Sequence, residues 1–214
     1  AFLKDMKSTA REIIPKKLKM TYALEQGMTS DAILTYSRLY KPGLIVVGAK
    51  GVGNRMEFLG SSTIRIILKA SFPVLIIPEE SQISKDKTSL KIVYATNYDE
   101  YDFFEISRLI RLFWEFSLEI FCTHIGMEDE PIEKLKMKAL LEYFEKSYPK
   151  VKIHCNMLED HGIEASLDQY ISEHNIDILA MTTHKRNLLT KIISPSITKK
   201  VYYHTRIPLL IFHS

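Results

Sequence analysis

The sequence predicts an α/β fold made of two parallel-sheet units in tandem. Short apolar segments of strand length alternate with longer segments in which apolar residues recur at helical spacing. This alternation continues along most of the 214 residues, and it is typical of parallel sheets whose faces are covered by helices. A strand-forming segment also occurs twice, which indicates that the unit is repeated.

Residues 44–78 show the pattern in its clearest form, LIVVGAKGVGNRMEFLGSSTIRIILKASFPVLIIP. The sequence predicts a buried strand over residues 44–47 and a second strand over Val74–Ile77. Between them, Ser61 and Ser62 open a predicted helix. The loop before that helix contains four glycines, which are Gly48, Gly51, Gly53 and Gly60.

Two interpretations of this glycine loop are open. Glycines ahead of a helix let backbone N–H groups come close to a phosphate, and the helix dipole favours negative charge at that end. The same residues also suit a simple turn between sheet and helix. An isolated glycine loop does not separate the two interpretations.

The loop GAKG, followed by eight residues and GSS, resembles the nucleotide-binding loop of the universal stress protein family. The family pattern is Gly, two residues, Gly, nine residues, Gly, and Ser or Thr. Here residues 52–59 make the second interval one residue shorter. The following TIRIILKASFPVLIIP resembles the closing helix and strand of that family. The resemblance implies flavodoxin-like (HUP-like) parallel-sheet units with strand order 3-2-1-4-5.

The resemblance further implies a cytoplasmic stress-response protein whose first half binds ATP or a related adenine nucleotide as a regulatory ligand. The cofactor-binding residues that it carries over are Gly48, Ala49, Gly51, Gly60, Ser61 and Ser62. Lys50 lies within the same loop, where it can neutralise phosphate charge or remain solvated. The alternative from a different class is a nucleotide-free interaction module whose sheets serve only assembly.

The first unit, residues 1–78, is predicted to contain only part of the family fold. Its elements before residue 44 are a helix over 3–14, a strand over 18–24 and a helix from Thr29 to about Leu39, capped by Thr29 or Ser30. The first two strands of the family unit are missing from this sequence. Because unpaired strand edges are unfavourable, we expect a longer natural chain or a second chain to supply them.

A polar segment, residues 79–89, is predicted to link the first unit to a second one over residues 90–214. The strands predicted there are residues 90–96, 118–123, 151–158, 178–181 and 208–212, and the helices are residues 101–116, 130–148, 163–174 and 195–204. Trp114 and most other aromatic residues lie at core spacing. Proline at position 131 falls in the first turn of its helix, where it is tolerated.

The two units align with each other. SFPVLIIP matches RIPLLIFH, so that Pro73 aligns with Pro208 at a shift of 135, whereas GLIVVGAK matches DILAMTTH at a shift of 134. The second unit has lost the loop glycines, since Gly48, Gly51 and Gly60 are replaced there by Thr182, Lys185 and Pro195. The acidic position that the family places after its first strand reads Asn97. We therefore predict a degenerate second unit that holds no nucleotide.

The sequence contains little that indicates catalysis or metal binding. Ser61 lies in no G-x-S-x-G turn, and the seven histidines show none of the usual metal-ligand spacings. The acidic residues Asp99, Glu100 and Asp102 lie at a predicted helix start, where the dipole explains them. We expect no metal site and no catalytic constellation, with at most slow ATP hydrolysis.

The composition of the chain limits the kinds of partner that it is expected to bind. The chain is 46% hydrophobic with a net charge of +3 and no long basic run, so nothing points to nucleic acid. No apolar run reaches membrane-spanning length. Cys122 and Cys155 lie in predicted apolar strands, which is typical of buried thiols in proteins of a reducing compartment. The expected partners are an adenine nucleotide and a strand-to-strand contact between the closing strands, within the chain or in a homodimer.

Overall fold

The computed structural model describes residues 19–49, 59–79, 81, 84, 86–125, 131–158, 163–183 and 207–213. The strands within these residues are β1 (Ile45–Gly48), β2 (Val74–Ile77), β3 (Ser89–Ala95), β4 (Ser117–Ile125), β5 (Lys152–Leu158), β6 (Ile178–Thr183) and β7 (Leu209–His213). The helices are α1 (Thr29–Tyr40), α2 (Ser61–Lys69), α3 (Glu100–Leu112), α4 (Pro131–Ser147) and α5 (Ile163–His174).

The strands form one sheet in the order β1-β2-β7-β6-β3-β4-β5. Neighbouring strands are parallel except at the contact between β2 and β7, which is antiparallel. Within the second half, the order β5-β4-β3-β6-β7 is the 3-2-1-4-5 arrangement that the family resemblance implied. That part of the fold prediction is confirmed.

The contact between β2 and β7 joins the closing strands of the two halves. Leu75 is in register with Leu210, and Ile76 with Leu209. Both strands have a partner on either side, so neither presents an open edge. Because Ile76 and Leu210 are fully buried, this contact lies in the interior of the protein.

Apolar residues cover both faces of the sheet, as parallel strands require. Alternate residues of one strand belong to different cores because side chains of a strand alternate between faces. Ile76 belongs to the core that also contains residues of α1, α2 and α5, while Leu75 belongs to the core that contains residues of α3 and α4. No helix in the described part of the chain combines the length and the apolar character that crossing a bilayer requires.

Most predicted elements form within one to four residues of their predicted bounds, but four details differ. Residues 19–24, the described part of a predicted strand, form no strand, and no strand of the described residues pairs with them. Helix α1 is preceded by Met28 as its cap residue, and not by Thr29 or Ser30. Helix α3 ends at Leu112, which leaves Trp114 in a turn and 72% exposed instead of in the core. Cys155 is only half-buried, because it faces a cavity.

The helices predicted over residues 3–14 and 195–204 lie outside the described residues.

Candidate functional site

The candidate site lies at the carboxyl end of β1, the side of an α/β sheet on which ligands bind. Gly48 ends the strand in register with Ile77 and is exposed. The next residue, Ala49, is buried, and its N–H donates a hydrogen bond to the Ile77 carbonyl at 2.9 Å. The chain is therefore anchored to β2 where it enters the glycine loop.

The loop returns to the point where it began. The N–H of Gly60 donates to the Ala49 carbonyl at 2.9 Å, and the Gly60 carbonyl accepts from Ile64, in α2, at 3.0 Å. Leu59 is buried beside this contact. The entrance and the exit of the loop are thus joined directly, although Lys50 and Gly51 lie outside the described residues.

Helix α2 begins at this closure, and no side chain of the described residues caps its N-terminus. Gly60 is the cap residue, and the first turn contains no acidic residue. The first N–H groups of a helix have no partner within it, and the dipole places partial positive charge there. Ser61 is exposed and Ser62 is half-buried. An anion next to Gly48 would meet this positive helix end.

Backbone conformation does not explain why two of these residues are glycines. Gly60 has φ −60° and ψ 147°, which any residue adopts. Gly48 lies in a regular strand, and the described glycine with a positive φ is Gly27, at 116°. Glycine at positions 48 and 60 instead has no side chain that would keep a group away from the backbone.

Sequence reasoning overlooked Thr63, which holds the site together. Its hydroxyl donates to the Gly48 carbonyl at 3.0 Å, and its side chain is buried. This hydrogen bond ties the first turn of α2 to the end of β1. The available signal was its place three residues after Gly60, within the first turn of the predicted helix.

Replacing Thr63 with valine is expected to lower the free energy of unfolding by about 1 kcal/mol, because the shape is kept while one buried hydrogen bond is lost. Urea unfolding measures this change. Thr123→Val is the matched control, since the Thr123 hydroxyl makes a longer, 3.3 Å bond to a carbonyl only two residues away. Equal losses of unfolding free energy in the two variants would show that the hydrogen bond from Thr63 to Gly48 has no particular importance.

In the second half, the position that aligns with Gly48 has a side chain. Thr182, which aligns with Gly48, is buried, and its hydroxyl lies 2.5 Å from the Tyr94 hydroxyl. Thr183 donates to the Phe212 carbonyl at 3.1 Å. The contact between Tyr94 on β3 and Thr182 on β6 crosses the point where the strand order reverses, which is where α/β sheets bind ligands.

Asp102 organises this part of the second half. Its carboxylate is 3% exposed. It accepts hydrogen bonds from the Thr96 hydroxyl at 2.6 Å, the Tyr94 hydroxyl at 2.9 Å, and the backbone N–H groups of Asn97 and Asp99, both at 3.1 Å. Burial raises the pKa of this carboxyl, although the hydrogen bonds oppose the shift.

The sequence interpretation of Asp102 as a residue that merely complements the helix dipole was incomplete. Asp99 and Asp102 form a reciprocal capping box at the start of α3. Their spacing of three residues was the available signal, but it did not show the burial. Asn97, at the position of the family's acidic residue, has an exposed side chain.

The side chain of Tyr98 lies against the ends of the neighbouring strands β4 and β5. Its φ is 53°, and its side chain is 1% exposed. Its hydroxyl lies 2.8 Å from the Asn156 carbonyl and 3.2 Å from the Cys122 carbonyl. His124, whose ring packs against Tyr98, lies 2.8 Å from the Thr96 carbonyl. Side chains of the protein itself thus occupy the carboxyl ends of β3, β4 and β5.

Comparison with known proteins identifies relatives of this arrangement. The model of the universal stress protein family matches residues 3–78 and 124–213. A universal stress protein from Archaeoglobus fulgidus is similar in structure, with 15% identity, a TM-score of 0.65, and coverage of 99% of this chain and 78% of that chain. No curated protein matches the chain.

A putative universal stress protein from Pseudomonas aeruginosa is also similar, with 15% identity, a TM-score of 0.63, and coverage of 99% of this chain and 77% of that chain. At this level of identity, the two structural similarities concern the fold.

Proposed function

The chain belongs to the universal stress protein family, and from this premise we propose that its first half binds ATP or a related adenine nucleotide as a regulatory ligand. The observation that carries the proposal is the N-terminus of α2, which no described side chain caps, beside the exposed backbone of Gly48. Helix N-termini that follow glycine-bearing loops are common phosphate sites.

The residues proposed to contact the phosphates are Gly48, Ala49, Gly60, Ser61 and Ser62, together with Gly51 in the part of the loop that is not described. The hydrogen bond between Gly60 and Ala49 already uses one backbone N–H. The N–H groups at the start of α2 and the hydroxyls of Ser61 and Ser62 are therefore the donors that we assign to the phosphate oxygens. Thr63 positions them through Gly48.

The second half, in this proposal, holds no nucleotide and serves as a partner for the first. Tyr94, Thr182 and Asp102 form a buried hydrogen-bonded group at its reversal point. The contact between β2 and β7 joins the two halves into one sheet. Nucleotide binding would then act as a signal in a cytoplasmic protein, a location that the free thiols of Cys122 and Cys155 support.

The test places a negative charge at the proposed phosphate site. Ser61→Asp is expected to weaken ATP binding at least tenfold, or about 1.4 kcal/mol, because the carboxylate repels the phosphates. The same change should leave folding stability unchanged or slightly higher, since an acidic residue in the first turn complements the helix dipole. Calorimetric titration with ATP and urea unfolding measure the two effects separately.

Thr29→Asp is the matched control, because Thr29 is an exposed residue in the first turn of α1. It adds the same charge at another helix N-terminus and should leave ATP affinity unchanged. Equal weakening by both variants would show a general charge effect and contradict the proposed site.

A nucleotide-free interaction module is the second candidate function. The filled second half and the continuous sheet through β2 and β7 favour it. No ATP binding by the unsubstituted protein at millimolar concentration would overturn the nucleotide proposal and leave this candidate in its place.

A further inference from the structure

We propose that Cys122 and Cys155 form a reversible redox pair, which a hydroperoxide oxidises to a disulfide through the cavity between α4 and β5. The inference concerns the half of the protein that holds no nucleotide in our proposal. It rests on the register of two strands, on the different exposure of the two thiols and on the cavity next to one of them.

The two cysteines are direct neighbours across parallel strands. Cys122 on β4 is in register with Cys155 on β5. Registered residues of adjacent strands project from the same face, and such strands lie about 4.8 Å apart. That spacing falls within the range of about 4.4–6.8 Å between Cα atoms that disulfides span. Cys122 and Cys155 also belong to the same core, since Cys155 packs against the cluster that contains Cys122.

The surroundings of the two thiols differ. Cys122 is fully buried, whereas Cys155 is half-buried and lines a cavity of about 620 Å³ between α4 and β5. Lys134 and Lys138 also line this cavity, and Lys138 lies 3.7 Å from Glu142. Cys155 lines this cavity, whereas Cys122 does not. A small oxidant therefore has access to Cys155 but not to Cys122.

This difference assigns a separate step to each sulfur. The Cys155 thiolate attacks one oxygen of the hydroperoxide, the O–O bond breaks, and an alcohol, or water from hydrogen peroxide, leaves with a proton. Cys155 is then a sulfenic acid. The Cys122 sulfur attacks the Cys155 sulfur, the S–O bond breaks, and water carries away the hydroxyl group and the Cys122 proton. Two thiols lose two electrons, and the peroxide gains them.

The neighbouring Cys155, together with burial, raises the pKa of Cys122, so Cys122 is poorly suited to attack the peroxide first. Its place beside Cys155 suits it to the second step. The resulting disulfide would connect β5, the edge strand, to β4 near the Tyr98 hydroxyl. A thiol such as dithiothreitol reverses the step by attacking the disulfide, so the pair can return to the dithiol state.

The experiment exposes the full chain to hydrogen peroxide, alkylates the remaining thiols in denaturant and maps the peptides by mass spectrometry. We expect both thiols to disappear together, a cross-linked peptide joining Cys122 to Cys155, and recovery of both thiols with dithiothreitol. Oxidation of Cys155 alone to sulfinic acid would overturn the proposal. So would a disulfide between two chains, or two unreacted thiols.

Two variants test the order of the steps. In Cys122→Ala, the sulfenic acid of Cys155 should persist and react with dimedone, because no second thiol resolves it. In Cys155→Ser, Cys122 should remain a thiol under the same peroxide treatment. If Cys122 were oxidised equally fast without Cys155, the assignment of the first step to Cys155 would be wrong. The mapping of the unsubstituted chain decides the proposal even if a variant folds poorly.

Discussion

Asp102→Ala is expected to lower the free energy of unfolding by about 3 kcal/mol, because it leaves buried donors without an acceptor. The Thr96 and Tyr94 hydroxyls and the backbone N–H groups of Asn97 and Asp99 all donate to this carboxylate. Urea unfolding at neutral pH measures the loss. Asp99→Ala is the matched control at the same helix start, and loss of this cap residue should cost only about 1 kcal/mol.

The pH dependence of stability provides a second check on Asp102. Burial raises its pKa above the ordinary value of 3.8. Between the unfolded and the folded pKa, the folded protein binds more protons, so stability falls as pH rises through that range. Acidification from neutral pH should therefore stabilise the unsubstituted protein relative to Asp102→Asn, which lacks this carboxyl. If acidification instead destabilised the unsubstituted protein relative to Asp102→Asn, the raised pKa of Asp102 would be contradicted.

Leu210→Asp is expected to lower the free energy of unfolding by about 4 kcal/mol or more, which is a large part of the stability of an ordinary protein. Leu210 is fully buried on β7, between Leu75 of β2 and Ala180 of β6. A carboxylate there would lie in the apolar interior without a partner. Thermal unfolding followed by circular dichroism measures the change.

Val46→Asp is the matched control, because Val46 lies on β1 of the same sheet but is 59% exposed. Its effect should stay within about 0.5 kcal/mol. Hydrogen exchange adds a test of the contact between the halves. If β2 and β7 are paired, Leu210→Asp should also remove protection from β2, which belongs to the other half. Full protection of β2 in this variant would contradict that pairing.

Local pattern was enough to predict most helices and strands. Strand Val74–Ile77 and helix Ile163–His174 have the predicted bounds, because apolar periodicity reflects which face of a segment is buried. The same approach was wrong for residues 19–24, where an alternating pattern has no neighbouring strand. It was also wrong for Trp114, since the helix ends before that residue.

Nucleotide binding by the glycine-loop residues stays a prediction, and the structure shows where these residues lie. The described residues Gly48, Ala49, Gly60, Ser61 and Ser62 do lie together at the end of β1 and the start of α2. Their closeness follows from a short loop between two predictable elements. Thr63 was missed because its contact with Gly48 spans fifteen positions, and no local pattern records it.

The sequence by itself determined the α/β class, the family, the order of elements and the position of the glycine loop, since all of these depend on residues near one another in the chain. Tertiary structure alone decided that β2 and β7 pair within one chain and in antiparallel orientation, that Asp102 is a buried acceptor and that Tyr98 lies at the strand ends. Each of these depends on strands or side chains brought together from distant segments, and packing, not local propensity, determines such contacts.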